Sequence, residues 1–247
     1  SSNVEGCDVW IYAENAITDD YCYFALSANT QEEVLMDYSN VPGGYGIYRL
    51  PCATQEEPMT IDELKMVYPL ETNEQLRLFQ TSADQTKLLL VTQEENYYIL
   101  KVLDPKTAQE LQRIPLMEDK ADLYASELYV GEDFLVALFG ETQFVVLSQV
   151  GGNYELSFTG TLPEKEIFSF NYSYDYIMAF DGEKLAMAAI NDRNTYNTFC
   201  GFSLVVCDKT GTLYAGRYDS SLDKAQAAEY IDRCKAMNND PLKIRWE

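Results

Sequence analysis

The chain has 247 residues, 18 Lys and Arg against 40 Asp and Glu, no histidine, and a formal charge of −22. The absence of histidine excludes a Ser–His–Asp triad, a Cys–His pair and any His-ligated zinc or haem within the chain, and the acidity argues against nucleic acid or an anionic membrane surface, which need clustered Lys and Arg. A hydrophobic content of 47% with 13% aromatics is enough for a packed core and argues against a disordered chain.

In chain order, residues 1–74 are the most acidic part, with only Arg49 and Lys65 against 14 carboxylates. Residues 8–70 end in two predicted strands, Tyr45–Leu50 and Glu63–Leu70, with a long connection between them. Gly43-Gly44-Tyr45-Gly46 lacks the Lys and the following helix of a phosphate loop and reads as a turn. Residues 75–116 then offer four strands: Gln75–Thr81, Lys87–Thr92, Asn96–Leu103 and Gln109–Leu116. The last two are joined by Asp104-Pro105-Lys106-Thr107, where Pro presets φ and Asp bonds back to the backbone. Residues 122–162 repeat the plan, with Gly151-Gly152-Asn153 in the place of that turn. Residues 174–218 repeat it again, with Asp208-Lys209-Thr210-Gly211 there. Strands such as Phe134–Phe139 and Phe202–Val206 are short, rich in aromatic and β-branched residues, and bounded by turn residues. Leu222, Ala225, Ala228, Ile231, Cys234 and Met237 recur every three residues and predict a helix. It is capped by Ser220 or Ser221 and ended by Asn238-Asn239-Asp240-Pro241. Leu242, Ile244 and Trp246 alternate with charged residues and predict a closing strand on an edge near the N-terminal unit.

Four strands per unit at a spacing of about 45–50 residues predict an all-β, β-propeller-like fold with about four or five four-stranded blades. In domain terms, residues 1–221 form the propeller-like domain, and residues 222–247 pack on it as a helix and a strand. A β-sandwich is the alternative. Tyr97–Leu116 resembles the repeat of surface-layer-type propellers, in which a strand ends in Asp (Asp104), turns through Thr (Thr107) and returns to Ile-Pro (Ile114-Pro115). Val206–Tyr214, with Asp208, Thr210 and Gly211, is similar to the same turn in quinoprotein-type propellers. The Trp that closes the quinoprotein repeat is missing, since Trp10 and Trp246 lie elsewhere. The resemblance is to a repeat style and implies a fold, with no function attached.

The cysteines are Cys7, Cys22, Cys52, Cys200, Cys207 and Cys234, with no C-x-x-C pair. Six cysteines allow 15 connectivities. A Cys200–Cys207 bridge is not expected, because seven steps of extended strand separate them by about 23 Å, against a limit of ~7 Å. No apolar run is long enough to span a membrane. Ser1-Ser2-Asn3 resembles the polar linker after the lipidated cysteine of bacterial lipoproteins. That start, with the acidity and the abundant Tyr, predicts an extracellular or cell-surface protein, lipid-anchored in one version. A cytosolic protein with reduced cysteines is the other reading.

Phe168, Phe170, Tyr172, Tyr174 and Tyr176 alternate with polar residues, so a strand would gather all five rings on one face. Packing between sheets is preferred over a stacking platform for sugars or a partner. Asp19-Asp20, Glu32-Glu33, Glu56-Glu57 and Glu94-Glu95 are paired carboxylates. Sequence neighbours on a strand point to opposite sides, so these pairs read as solvated residues, not as the facing carboxylates of a glycosidase. Asn191-Asp192-Arg193-Asn194 reads as a polar connection, and no calcium loop is present. Asn171-Tyr172-Ser173 matches the glycosylation triplet. The sequence thus designates no catalytic, cofactor-binding or metal residue and no cofactor. It points to a non-catalytic binding module with a protein or carbohydrate partner. A carboxylate-dependent carbohydrate-active enzyme is the alternative.

Overall fold

The structure, a computed structural model, describes residues 3–4, 7–30, 43–52, 64–71, 73–120, 123–162, 175–193, 199–219, 244 and 246. The chain forms two compact units, residues 1–121 and 122–247.

The first unit holds two antiparallel sheets. One has five strands in chain order: β1 (Asn3–Val4), β2 (Cys7–Ile17), β3 (Tyr21–Thr30), β4 (Gly46–Pro51) and β5 (Lys65–Pro69). The other has four: β6 (Glu74–Thr81), β7 (Leu88–Glu94), β8 (Tyr97–Leu103) and β9 (Glu110–Glu118). The second unit repeats the four-stranded plan twice. Its sheets are β10 (Ala125–Val130), β11 (Phe134–Phe139), β12 (Gln143–Val150) and β13 (Asn153–Thr161), then β14 (Asp175–Phe180), β15 (Leu185–Arg193), β16 (Phe199–Asp208) and β17 (Gly211–Asp219). Each sheet is a meander whose spatial order is its chain order, which is the plan of a propeller blade. The fold is all-β and propeller-like, and four sheets replace the two of a sandwich. In all four, the last two strands slip register by a bulge, which twists the outer edge away from further pairing.

The four-strand units fall where the sequence places them. The first departs from the rest, as expected, and also gains β1, a two-residue strand beside β2. No helix occurs among the described residues. The predicted helix Leu222–Met237 lies outside them. So does most of the predicted closing strand, whose Ile244 and Trp246 are described but belong to no strand. Asn191–Arg193, expected in a connection, instead continue β15. The register with β16 runs from Leu185 opposite Cys207 to Arg193 opposite Phe199, so the hairpin is longer than its apolar run. Asn194 lies outside the described residues.

Turn chemistry closes the hairpins. Asp104 accepts from the Lys106 and Thr107 amides, both at 2.8 Å, and Asp208 accepts from the Thr210 amide at 2.7 Å and hydroxyl at 2.6 Å. Those bonds favour the ionised forms. The Thr107 amide leads in holding Asp104 below the ordinary carboxylate range, and the Thr210 hydroxyl leads in doing so for Asp208.

Each unit buries its core between its two sheets. In the first, Ala16, Tyr23, Ala25, Tyr45, Ile47 and Leu70 pack against Leu76, Phe79, Leu88, Leu90 and Leu103. Hydrogen bonds cross the same interface. Tyr23 donates to the Pro105 carbonyl at 2.6 Å, Arg49 to the Lys106 carbonyl at 3.2 Å, and Tyr68 to Glu110 at 3.0 Å, while the Leu76 amide donates to the Tyr45 hydroxyl at 2.9 Å. The Asp104–Thr107 turn is therefore a docking element as well as a reversal. In the second unit, Phe134, Val136, Leu138, Phe144, Val146 and Phe158 meet Met178, Leu185, Met187, Ala189, Val205 and Cys207. Phe180 closes this core with its ring centroid 5.9 Å from Phe134 and 6.3 Å from Phe158.

Gly46 opens β4 where no side chain fits, because a Cβ there would lie 2.3 Å from the Tyr68 carbonyl oxygen on the paired strand. Gly46→Ala is expected to force β4 and β5 apart and to lower stability by about 1–3 kcal/mol, read as a fall in the denaturant midpoint.

Candidate functional site

Among the described residues the densest polar cluster lies inside the first unit, on the face of the β6–β9 sheet that meets β5. It starts from one residue type in an unusual place. Lys101 stands in the middle of Tyr97-Tyr98-Ile99-Leu100-Lys101-Val102-Leu103, an otherwise apolar strand. On β8 it shares a face with Ile99 and Leu103, and Leu103 is core, so the ammonium is carried inward. The Lys101 side chain is only 1% exposed. An unpaired ammonium there would be prohibitive, and the neighbouring strands supply its partners. Lys101 Nζ donates to Glu74 Oε1 at 2.6 Å and lies 3.1 Å from Glu94 Oε1. It also sits 5.8 Å from the centre of the Tyr68 ring.

Around this centre the cluster extends toward solvent. Arg113, on β9 and 43% exposed, pairs with Glu94, lies 3.9 Å from Glu74 and reaches Glu110 at 3.5 Å. Glu110 receives the Tyr68 hydroxyl, and Thr92 donates to Glu94 Oε1 at 2.7 Å. Burial pushes the Glu94 carboxyl up, but the Thr92 hydroxyl and the Lys101 ammonium outweigh it and leave it below its ordinary value. Burial is also the leading reason the Tyr68 phenol is shifted well above its ordinary value, and its bond to Glu110 adds to that. Every charge in the cluster has a partner of opposite sign.

A second titratable group stands in the other unit. Glu127, on β10 at the bulge between Ala125 and Glu127, is half-buried, and burial raises its carboxyl above the ordinary range. Among the described residues no three Cys, Asp or Glu side chains gather so as to hold a metal ion.

The carboxylate pairs named from sequence divide. Asp19 and Asp20 are exposed in the β2–β3 turn, as expected of solvated residues. Glu95 is exposed at φ 48° in the β7–β8 turn, but Glu94 belongs to the buried cluster, contrary to the expectation for that pair. Glu32-Glu33, Glu56-Glu57 and Asn171-Tyr172-Ser173 lie outside the described residues. Of the aromatic row only Tyr176 is described; it packs against the second unit's core, while Phe168, Phe170, Tyr172 and Tyr174 lie outside. Gly43 and Gly44 form the expected turn at φ 84° and 90°, with the Gly44 carbonyl accepting from Tyr48 at 2.6 Å. Cys200 and Cys207 share β16, which agrees with the argument against their bridging. Lys101 went unrecognised in the sequence, although a single Lys inside an apolar strand is the signal that points to it.

No protein-family model and no curated protein sequence matches the chain. Among solved structures, the chain is similar to a hypothetical selenium-binding protein from Sulfolobus tokodaii, with 10% identity over 86% of this chain and 53% of that one, TM-score 0.42. It is similar to the neuraminidase-like protein of subtype N10 from a little yellow-shouldered bat influenza A virus, with 11% identity over 85% and 58%, TM-score 0.41. It is also similar to the Swd1 β-propeller domain from Myceliophthora thermophila, with 10% identity over 83% and 58%, TM-score 0.40. The chain spans little more than half the length of these structures. At these TM-scores the likenesses carry no argument, and the fold stands on the strand order and packing described above.

Lys101→Met removes the cation between Glu74 and Glu94 and leaves two buried carboxylates facing each other. It is expected to cost about 3–5 kcal/mol in chemical denaturation, and Glu74→Leu added to it is expected to recover part of that loss.

Proposed function

We propose that the protein is a non-catalytic recognition module, exported to the cell surface, that binds a protein partner through its acidic exterior. One observation supports this most. Among the described residues the most deeply buried charged side chains are Glu74 and Lys101, and they neutralise each other. The strong negative charge of the described chain is therefore displayed outward, where it steers and selects a cationic partner. The strongest internal polar cluster is consumed in joining two sheets, which suits a scaffold.

Glu127 favours a second reading, a carboxylate-dependent carbohydrate-active enzyme. A half-buried carboxyl held above its ordinary range is the property of a general acid.

Two measurements decide. Immobilised protein is expected to retain basic proteins at about 0.15 M salt and to release them at about 1 M, where the screening length falls to ~3 Å. Retention unchanged by salt would contradict the electrostatic reading. A panel of glycosides and polysaccharides is expected to show no turnover, and turnover abolished by Glu127→Gln would establish the enzyme instead. The same variant carries a pH signature. A raised carboxyl stabilises the fold below its unfolded pKa and loses that contribution as pH rises through the folded one. Glu127→Gln is therefore expected to melt with the parent in acid and above it at neutral pH.

A further inference from the structure

We propose that Cys22 and Cys52 are a vicinal redox pair that closes into a disulfide across β3 and β4, clamping the end of the first sheet. The register carries the argument. Cys22 on β3 stands opposite Leu50 on β4, and Tyr21 opposite Pro51. The pairing continues one step further, where the Cys52 amide donates to the Asp20 carbonyl at 2.9 Å. Cys52 therefore lies two residues beyond Cys22's direct partner and on the same face of the sheet. Such diagonal neighbours are about 7–8 Å apart between Cα atoms and closer between Cβ atoms. A bridge needs Cα atoms within ~6.8 Å. Cys52 is past the last residue of β4, in a bend, so the remaining approach falls on backbone that only its amide bond to Asp20 ties to the ladder. Its thiol now donates to the Thr18 carbonyl at 3.6 Å, a weak bond lost at little cost when χ1 turns toward Cys22.

Two of the other cysteines are placed where they do not compete. Cys7 pairs with Thr30, at the far end of the β2–β3 hairpin from Cys22, which pairs with Ile17. Cys207 is buried in the second unit's core. Burial first, and then the charge of Cys52, raise the Cys22 thiol above its ordinary value.

The exposures set the order of events. Cys52 is exposed and Cys22 half-buried. With glutathione disulfide as oxidant, the Cys52 thiolate attacks one sulfur of the donor, the donor S–S bond breaks, and one glutathione thiolate leaves. The Cys22 thiolate then attacks Cys52 Sγ of the mixed disulfide and expels the second glutathione. Two thiol protons go to solvent or the departing thiolates, and the two electrons reduce one glutathione disulfide to two glutathiones.

The test uses the full chain, first reduced, then held in glutathione disulfide, alkylated and digested without reductant. The expected result is the loss of two thiols per chain and one cross-linked product joining the peptide of Cys22 to that of Cys52. These are separable because Arg49 lies between them and Glu14 separates Cys22 from Cys7. In Cys22→Ser the mixed disulfide is expected to persist on Cys52 as a gain of one glutathione. The proposal is overturned if both cysteines are still alkylated after oxidation of the parent. Glutathione remaining on Cys52 of the parent, or Cys52 bridging to another cysteine or a second chain, overturns it equally.

Discussion

A four-stranded meander cannot cover its own two faces, and the first unit shows how the shared face is made specific. Apolar side chains from both sheets supply the area, but apolar contact alone leaves the sheets free to slide. Lys101 removes that freedom. Its ammonium is stable only where Glu74 and Glu94 reach it together, and those residues face each other as the first of β6 and the last of β7. Tyr68 comes from the neighbouring sheet, lies over the same cation and donates to Glu110. The buried ions therefore tie strand register within one sheet to the position of the next. We take this as their role, since ion pairs of this kind add little net stability over an apolar filling.

Among its described residues, the second unit reaches the same end with aromatic rings. Phe144 meets Phe158 edge-on, Phe180 lies tilted against Phe134 and Phe158, and Tyr129 donates to the Met178 carbonyl at 3.3 Å. Aromatic geometry does there what the ion cluster does in the first unit. The hairpins that carry these faces close through Asp-centred turns at Asp104 and Asp208, so local chemistry and inter-sheet packing agree on one register.

Much of this was legible from the residues. Alternation and turn chemistry suffice to place β6–β9 and the two later sheets, because each turn has its own local reason: Asp104-Pro105, Gly151-Gly152, Asp208 with Gly211. What was not legible is everything that depends on register. Lys101 is visible as an oddity in an apolar strand, but its partners at positions 74 and 94 become neighbours only once three strands are aligned. The relation of Cys22 to Cys52 arises in the same way, from an offset of two residues across β3 and β4. Asn191–Arg193 misled for a different reason: their polar composition reads as a loop, while the ladder with β16 carries them on as strand.

If the two sheets of the first unit are held by one shared face, they open together. Native-state hydrogen exchange under rising denaturant measures this directly on the intact chain. Amides of β3 and β4 and those of β7 and β8 are predicted to converge on one opening free energy and to be lost in the same step. Persisting protection of residues 88–103 after residues 21–25 and 46–51 have exchanged would show that the sheets are independent and would contradict the account.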